Sequence, residues 1–177
     1  MGINERNLSK SSIRGVCLLI FVVLGTHELS FKRLLIEVES LIKNKTITDK
    51  VIVQAGHTRY DSPLMEIHSF VSYQQMDKWF EEADYVISHA GTGSVLGGLK
   101  KGKTVIAVPR LKKYHEHNDD HQLQLLDMLG SKGHIIPCHD LKNLKKAVEA
   151  VQLFKPKPFV SGREKICSLL ETYIEQA

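Results

Sequence analysis

Apolar residues along the chain form short runs that alternate with segments of helical periodicity. The runs predict strands at residues 17–24, 50–54, 68–71, 85–88, 105–108 and 133–137. The periodic segments predict helices at residues 30–43, 73–82, 95–101, 121–129 and 141–151, and a closing helix at 161–175. Strands that alternate with amphipathic helices are typical of βα units. The pattern therefore predicts an α/β fold, a Rossmann-like parallel sheet flanked by helices, with ligands at the carboxyl ends of its strands.

Length and composition favour a single globular domain. The chain has 177 residues, of which 42% are hydrophobic and 25% are charged, which suffices for one core. Residues 1–15 are polar and are expected to be a mobile leader before a domain at 16–177. The three cysteines lie far apart, so no zinc or redox pair is predicted and the cytoplasm is the expected compartment.

Charge and hydropathy restrict the partners. The formal net charge of +4 suits an anionic ligand or membrane surface. The basic residues are scattered along the chain rather than gathered into one arm, so nucleic acid is not predicted as a partner. The longest apolar run, residues 16–24, is too short to span a bilayer as a helix.

The segment between the strand at 85–88 and the helix at 95–101 is the strongest candidate for ligand binding. Glycines allow a tight turn and close approach of a ligand, and the N–H groups of a first helical turn favour phosphate. Thr92 and Ser94 add hydroxyl groups, and His89 is able to donate to a phosphate oxygen. Spacing alone also fits a tight turn without a ligand, because it matches neither common nucleotide fingerprint. The segment reads Ser88-His89-Ala90-Gly91-Thr92-Gly93-Ser94.

A second polar cluster follows the strand at 105–108, and Asp120 and Gln122 in it are suited to sugar hydroxyls. His117 and His121 are four residues apart, as in some metal sites. No third ligand stands at a diagnostic spacing, and Asp119 fits a helix cap, so the sequence predicts no metal.

The first predicted strand ends in a third candidate turn, residues 25–28. Gly25 and Thr26 are placed to contact phosphate or substrate across the cleft, and His27 follows them. The alternative is that Thr26 only starts the turn and that His27 is solvated. The sequence leaves both readings open.

Together these motifs resemble a known family, the C-terminal donor-binding half of GT-B glycosyltransferases related to MurG. The segment Val22-Val23-Leu24-Gly25-Thr26-His27-Glu28 is similar to the opening of PssE-type subunits of exopolysaccharide and capsule synthesis. Residues 85–94 are also similar to the catalytic subunit of the dolichol-linked UDP-N-acetylglucosamine transferase. Residues 108–122 favour the bacterial polysaccharide type. The resemblance extends from about residue 16 to near the C-terminus.

The resemblance implies a role for each candidate. UDP-sugar would be the donor substrate, with no other cofactor. The turn made by Gly91, Thr92, Gly93 and Ser94 would hold its diphosphate, and Gly25 and Thr26 would close over it. Uracil would lie against Phe70 and Val71, the sugar would face Asp120, His121 and Gln122, and His89 and Arg110 would stabilise the leaving group. Where many relatives have a ribose-binding Glu, this chain has Gly97.

The resemblance also implies a half-enzyme. The family inverts the anomeric centre by direct displacement, and a base must deprotonate the acceptor. That base is expected in a small membrane-anchored, acceptor-binding partner subunit, with His27 and Glu116 as fallbacks in this chain. The partner would hold the chain at the inner face of the membrane, where a sugar passes to a lipid-pyrophosphate-linked saccharide. The alternatives are the dolichol-type N-acetylglucosamine transferase subunit and a non-catalytic activator of a complete transferase.

Overall fold

A computed structural model describes residues 18–159, and within that range the chain forms a layered α/β unit. The strands are β1 (Leu19–Val23), β2 (Lys50–Gln54), β3 (Glu66–His68), β4 (Tyr85–Ser88), β5 (Thr104–Ala107) and β6 (Ile136–Pro137). The helices are α1 (Lys32–Lys43), α2 (Tyr73–Glu82), α3 (Thr92–Lys100), α4 (His121–Ser131) and α5 (Leu144–Ala150), with 3₁₀ turns at Lys112–Tyr114 and Leu141–Asn143. The expected leader at 1–15 and closing helix at 161–175 lie outside the described residues.

The strands form one parallel sheet in the order β3-β2-β1-β4-β5-β6. β1 lies between β2 and β4, so the direction of strand addition reverses beside it. At such a switch point the loops after two adjacent strands diverge and leave a crevice at the carboxyl edge. The predicted Rossmann-like sheet is confirmed, and the fold directs attention to the turns that follow β1 and β4.

Helices cover both faces of the sheet. On one face α1 buries Leu34, Leu35 and Val38 together with residues of α5. On the other face α2, α3 and α4 pack in a second apolar cluster, where Phe21 meets Trp79 and Phe80 in edge-on contacts with ring centroids 5.4 and 5.1 Å apart. Burial on both faces explains why the central strands read as unbroken apolar runs rather than as alternating patterns. None of the helices in residues 18–159 has the length and apolar character to cross a bilayer.

Several elements differ from the sequence prediction, and among them helix α3 begins at Thr92 rather than at residue 95. The third strand was predicted at 68–71, but β3 ends at His68, and Phe70 is 54% exposed beyond the sheet. The last strand shortens to Ile136–Pro137, since only two residues pair with β5. The helix predicted at 141–151 begins as a 3₁₀ turn because the Asp140 carboxylate accepts a hydrogen bond from the Lys142 N–H and caps it there.

Candidate functional site

The carboxyl ends of β1, β2 and β4 carry three tight turns that meet at the switch point. Gly25, Gly56 and Ala90 have positive φ angles of 72°, 59° and 60°. Glycine adopts this region at no steric cost, whereas an alanine there is strained. Ala90 is nevertheless buried in the α2–α4 cluster. Strain of this kind concentrates at functional sites, so the turn after β4 is the natural starting point.

Gln54, the last residue of β2, holds the turn after β1 in place. Its Oε1 accepts from the Gly25 N–H at 3.1 Å, and its Nε2 donates to the carbonyl oxygens of Gly25 at 3.0 Å and Ser69 at 3.2 Å. Gln54 is 4% exposed, so these bonds satisfy a buried amide that would otherwise be costly. Sequence reasoning missed this residue. A polar amide that closes an otherwise apolar strand was the available signal.

Helix α3 begins with backbone N–H groups that have no protein acceptor. Its N-cap is Gly91, which has no side chain to cap the helix. The N–H of Val95 bonds the Gly91 carbonyl, but those of Thr92, Gly93 and Ser94 bond nothing within residues 18–159. Thr92 and Gly93 are exposed and Ser94 is half-buried, so the amides face an open surface. Three free amides at the positive end of a helix are suited to an anion.

Gly93 and Gly97 lie in this helix and have different surroundings. A Cβ built on Gly93 meets nothing within 4 Å in the part of the chain that the structure describes, so packing there does not require glycine. A Cβ on Gly97 would lie 2.9 Å from Phe80 Cε2, so this position faces α2 rather than the free amides. The missing ribose-binding Glu is therefore replaced by helix packing.

His89 is wedged between the two glycine turns. A Cβ on Gly25 would lie 2.5 Å from its Cε1, and one on Gly91 would overlap its Nε2. Its Nδ1 lies 3.1 Å from the Val23 carbonyl oxygen, which can only accept, so Nδ1 carries the proton. Burial, then the Arg110 charge, lowers the pKa of His89 to about 4.

The protonation of His89 alters its predicted role. A neutral ring that donates through Nδ1 leaves Nε2 as an acceptor. His89 thus does not donate to a phosphate oxygen in this conformation. Its ring fills the space between Gly25 and Gly91 instead.

Arg110 also differs from its predicted role at the leaving group. It is fully buried, and its guanidinium donates to the carbonyl oxygens of Leu24 at 2.8 Å, Leu29 at 2.6 Å and Glu116 at 3.2 Å. These bonds engage both terminal nitrogens of the guanidinium, and burial lowers the pKa of Arg110 to about 10. Arg110 joins the loop after β1 to the loop after β5 and does not face the free amides of α3.

Glu116 is likewise engaged within the protein. Its carboxylate accepts two hydrogen bonds from Arg33, at 2.9 and 2.8 Å, and one from the Leu111 N–H at 3.2 Å. Glu116 is 3% exposed. A buried carboxylate whose oxygens are engaged by an arginine fork is not free to reach an acceptor, so the fallback role of Glu116 as base does not fit this arrangement.

The residues predicted to face the donor sugar are divided between the interior and the surface. Gln122 is buried, and its Oε1 accepts from the Arg110 N–H at 2.9 Å. Asp120 is exposed, and its Oδ1 accepts from the Lys112 N–H at 2.9 Å. His121 is exposed at the first turn of α4. Asp120 and His121 therefore remain accessible to a ligand.

His27 lies in the loop after β1 and faces the loop before α4. Its ring centroid is 4.5 Å from that of His117, and His117 is 4.9 Å from His121. The His27 Nδ1 accepts from the Leu29 N–H at 3.1 Å. Burial first, then the neighbouring His117 and Arg110, lower the pKa of His27. His27 is therefore neutral at neutral pH, the form that a general base requires.

The reason for predicting no metal does not hold in three dimensions. His117, Asp119 and His121 bring one potential ligand atom each within 4.8 Å of the others. The missing third ligand is Asp119, which the sequence assigned to a helix cap. Asp119 does accept from the His121 N–H at 3.1 Å, so it serves both arrangements.

The predicted uracil residues lie beyond the end of β3. Phe70 is exposed and meets the His57 ring edge-on at 4.9 Å, and Val71 is half-buried beside the α2–α4 cluster. A cavity of about 560 Å³ lies beside them, and Ser69 is one of its lining residues. This cavity does not contain the free amides of α3. It neighbours the candidate site without coinciding with it.

Comparison with known proteins places this geometry in a family. The sequence profile of the Glycosyltransferase family 28 C-terminal domain matches residues 19–172. The human protein named "UDP-N-acetylglucosamine transferase subunit ALG13" is 34% identical over 128 residues, which cover 67% of this chain and 11% of that protein. The chain thus spans a small part of that relative's length.

Solved structures agree with the fold. An NMR solution structure of ALG13 superposes with a TM-score of 0.54 at 22% identity, over 81% of this chain and 90% of that one. A crystal structure of MurG from Acinetobacter baumannii superposes with a TM-score of 0.54 at 20% identity, over 85% of this chain and 49% of that one. The described residues therefore correspond in fold to one half of a GT-B transferase.

Proposed function

The chain belongs to the family of glycosyltransferase family 28 C-terminal domains, and from this premise we propose that it binds the UDP-sugar donor of a two-component inverting transferase. One observation carries the proposal. Within residues 18–159 the N–H groups of Thr92, Gly93 and Ser94 have no protein acceptor, and these residues lie at an open surface at the switch point. A diphosphate supplies the acceptor oxygens that these amides lack.

The donor is UDP-N-acetylglucosamine in this proposal. The human relative is named for that sugar and matches two thirds of this chain. This supports the N-acetylglucosamine alternative over the role in exopolysaccharide and capsule synthesis. Asp120 and His121 are the accessible polar groups for the sugar. Gln122 is buried, and its side chain accepts from the Arg110 N–H instead.

The acceptor side belongs to a second chain in this proposal. The relative is named a subunit, and the superposed MurG is about twice as long as the matched region. Glu116 is bound by Arg33, and the lone-pair nitrogen of His27 is engaged by the Leu29 N–H, so neither fallback base is free in this conformation. A partner at the membrane would bind the lipid-linked acceptor and supply the base. The free amides of α3 would then stabilise charge on the departing UDP.

Titration of the full chain with UDP, followed by amide NMR, tests the donor site. The signals of Thr92, Gly93 and Ser94 are expected to shift at millimolar UDP or below. Gly93→Ala is the sharpest variant, because its methyl group meets no protein atom yet stands where a phosphate would approach. We expect it to weaken UDP binding at least about tenfold while the fold is kept.

The matched control is Lys100→Ala, at the exposed far end of the same helix. It should bind UDP as the unchanged chain does. Parallel titrations with UDP-N-acetylglucosamine and UDP-glucose test the sugar, and tighter binding of the former is expected. Absence of any shift at residues 92–94, or equal UDP binding by Gly93→Ala, would contradict the donor-site assignment.

A further inference from the structure

The loop that leads into α4 gathers three metal-binding side chains that the proposed transfer reaction does not use as a set. His117, Asp119 and His121 alternate along the chain, and their ligand atoms lie within 4.8 Å of one another. His117 is 12% exposed, while Asp119 and His121 are each 60% exposed. One ligand is thus anchored in the protein, and the other two open to solvent.

We propose that His117, Asp119 and His121 form a binding site for a borderline divalent transition-metal ion of the Zn²⁺ class. Two imidazole nitrogens and one carboxylate oxygen are ligands that such ions accept. Mg²⁺ and Ca²⁺ require mainly oxygen ligands. Three protein ligands leave one position of a tetrahedral ion open to water or to another ligand.

Contacts within the cluster hold the three side chains close together. The Nδ1 of His117 accepts from the Asp119 N–H at 3.3 Å, and it also lies 3.3 Å from Asp119 Oδ1. That N–H engages the Nδ1 lone pair and holds the His117 ring beside the Asp119 carboxylate. The His121 Nδ1 contacts the same Oδ1. A metal ion would displace these contacts and bind one nitrogen of each ring and one carboxylate oxygen.

The surroundings hold the site in place. The His27 ring lies against His117 at 4.5 Å between centroids and shields its inner side. The His121 N–H donates to Asp119 Oδ1 at 3.1 Å, which fixes the carboxylate at the start of α4. Such second-layer contacts orient metal ligands and raise affinity. Within residues 18–159 the one cysteine is Cys138, a buried thiol whose pKa burial raises to about 11, so it does not compete.

The test titrates the full chain, freed of metal with a chelator, with ZnCl₂ by calorimetry and with CoCl₂ by visible absorption. We expect one ion per chain and the d–d bands of tetrahedral Co²⁺ without thiolate charge transfer. His121→Ala and Asp119→Asn should each weaken binding at least about tenfold. MgCl₂ should give no binding in the same range.

The matched control is His139→Ala. His139 is exposed and pairs with a carboxylate, Asp127, at 2.6 Å, as His121 pairs with Asp119, but among residues 18–159 it has no third ligand beside it. This variant should bind Zn²⁺ as the unchanged chain does. Amide NMR of each metal-free variant checks that the fold is kept.

Two results would overturn the proposal. One is undiminished Zn²⁺ binding by the His121→Ala and Asp119→Asn chains, and the other is no binding to the unchanged chain at 100-micromolar levels, roughly the affinity of a weak site. No nucleotide or partner enters the experiment. Its outcome is therefore independent of whether the chain binds UDP.

Discussion

His89 joins the two glycine turns and determines how the site responds to acid. Its Nδ1 donates to the Val23 carbonyl, and its ring fills the space beside Gly25 and Gly91. No sequence pattern indicated this, because the same imidazole in the same motif is equally suited to a phosphate oxygen. The direction of a side chain depends on which backbone groups surround it, and these come from another strand.

Acid should destabilise the chain through His89. The folded state holds its pKa at about 4, whereas the unfolded value is 6.5. The unfolded chain therefore binds the extra proton first, and stability that is complete above pH 6.5 is lost as the pH falls toward 4. Urea unfolding at pH 7 and pH 5 should differ by about 2 kcal/mol from this residue.

His89→Asn is the comparison for that measurement. An asparagine amide is able to replace the Nδ1 donor to Val23 but does not titrate. Between pH 7 and pH 5, the free energy of unfolding of His89→Asn should fall by about 2 kcal/mol less than that of the unchanged chain. Identical pH profiles for the two chains would mean that His89 is not held neutral by burial.

Gln54 and Gly97 show where residue-level prediction stops. Gln54 read as the polar end of a strand, yet it makes three hydrogen bonds to two turns. The sequence indicated at Gly97 only the loss of a ribose-binding Glu, yet the structure places this glycine against Phe80. In both cases the deciding partner lies far away in sequence, so local patterns carry no information about it.

Strands and helices were predicted more accurately than side-chain roles. Residues 50–54, 73–82 and 85–88 match β2, α2 and β4 to the residue, and Ser72 caps α2, accepting from the Gln75 N–H at 3.1 Å. These elements combine strong apolar periodicity with clear ends. β3 was misplaced because Phe70 and Val71 look like strand residues, although the edge of the sheet has no partner for them there.

Substitution by alanine at two glycines of α3 should change the stability of the chain in opposite directions. Gly93→Ala adds a methyl group in open space and gains helix propensity, so it should stabilise the chain by up to about 1 kcal/mol. A Cβ on Gly98 would lie 2.7 Å from Val105 Cγ2 in the core. Gly98→Ala should therefore destabilise by about 1–2 kcal/mol in spite of its better propensity.

Chemical denaturation of both variants and of the unchanged chain measures this difference. If Gly98→Ala proved as stable as Gly93→Ala, the result would contradict the close packing of α3 on β5. The pair also separates stability from binding, since only Gly93→Ala should affect UDP. Loss of UDP binding by a chain that is more stable would exclude misfolding as its cause.

Across the whole molecule, the buried arginine couples the loops after β1 and β5. Arg110 donates to three carbonyl oxygens and stacks over the Phe31 ring at 5.0 Å. Arg110→Met should cost about 3 kcal/mol of stability, because it leaves those carbonyls unbonded and removes a positive charge near the buried Glu116. The pKa of Arg110, about 10, keeps it charged at neutral pH.

The exposed Arg59 provides the matched control, and Arg59→Met should change stability by less than about 0.5 kcal/mol. Urea unfolding at pH 7 compares the two. Equal stability of both variants would mean that Arg110 is dispensable. The sequence assigned Arg110 to the ligand, since nothing local distinguishes a binding arginine from a structural one.

The outermost strands of the sheet are short, with three residues in β3 and two in β6. A long unpaired strand offers its backbone to any passing extended segment and so invites self-association. In the part of the chain that the structure describes, β3 and β6 are too short to pair readily with an extended segment of another chain. A companion subunit would then have to recognise this protein through side chains of helices and loops, which tends to make recognition selective rather than promiscuous.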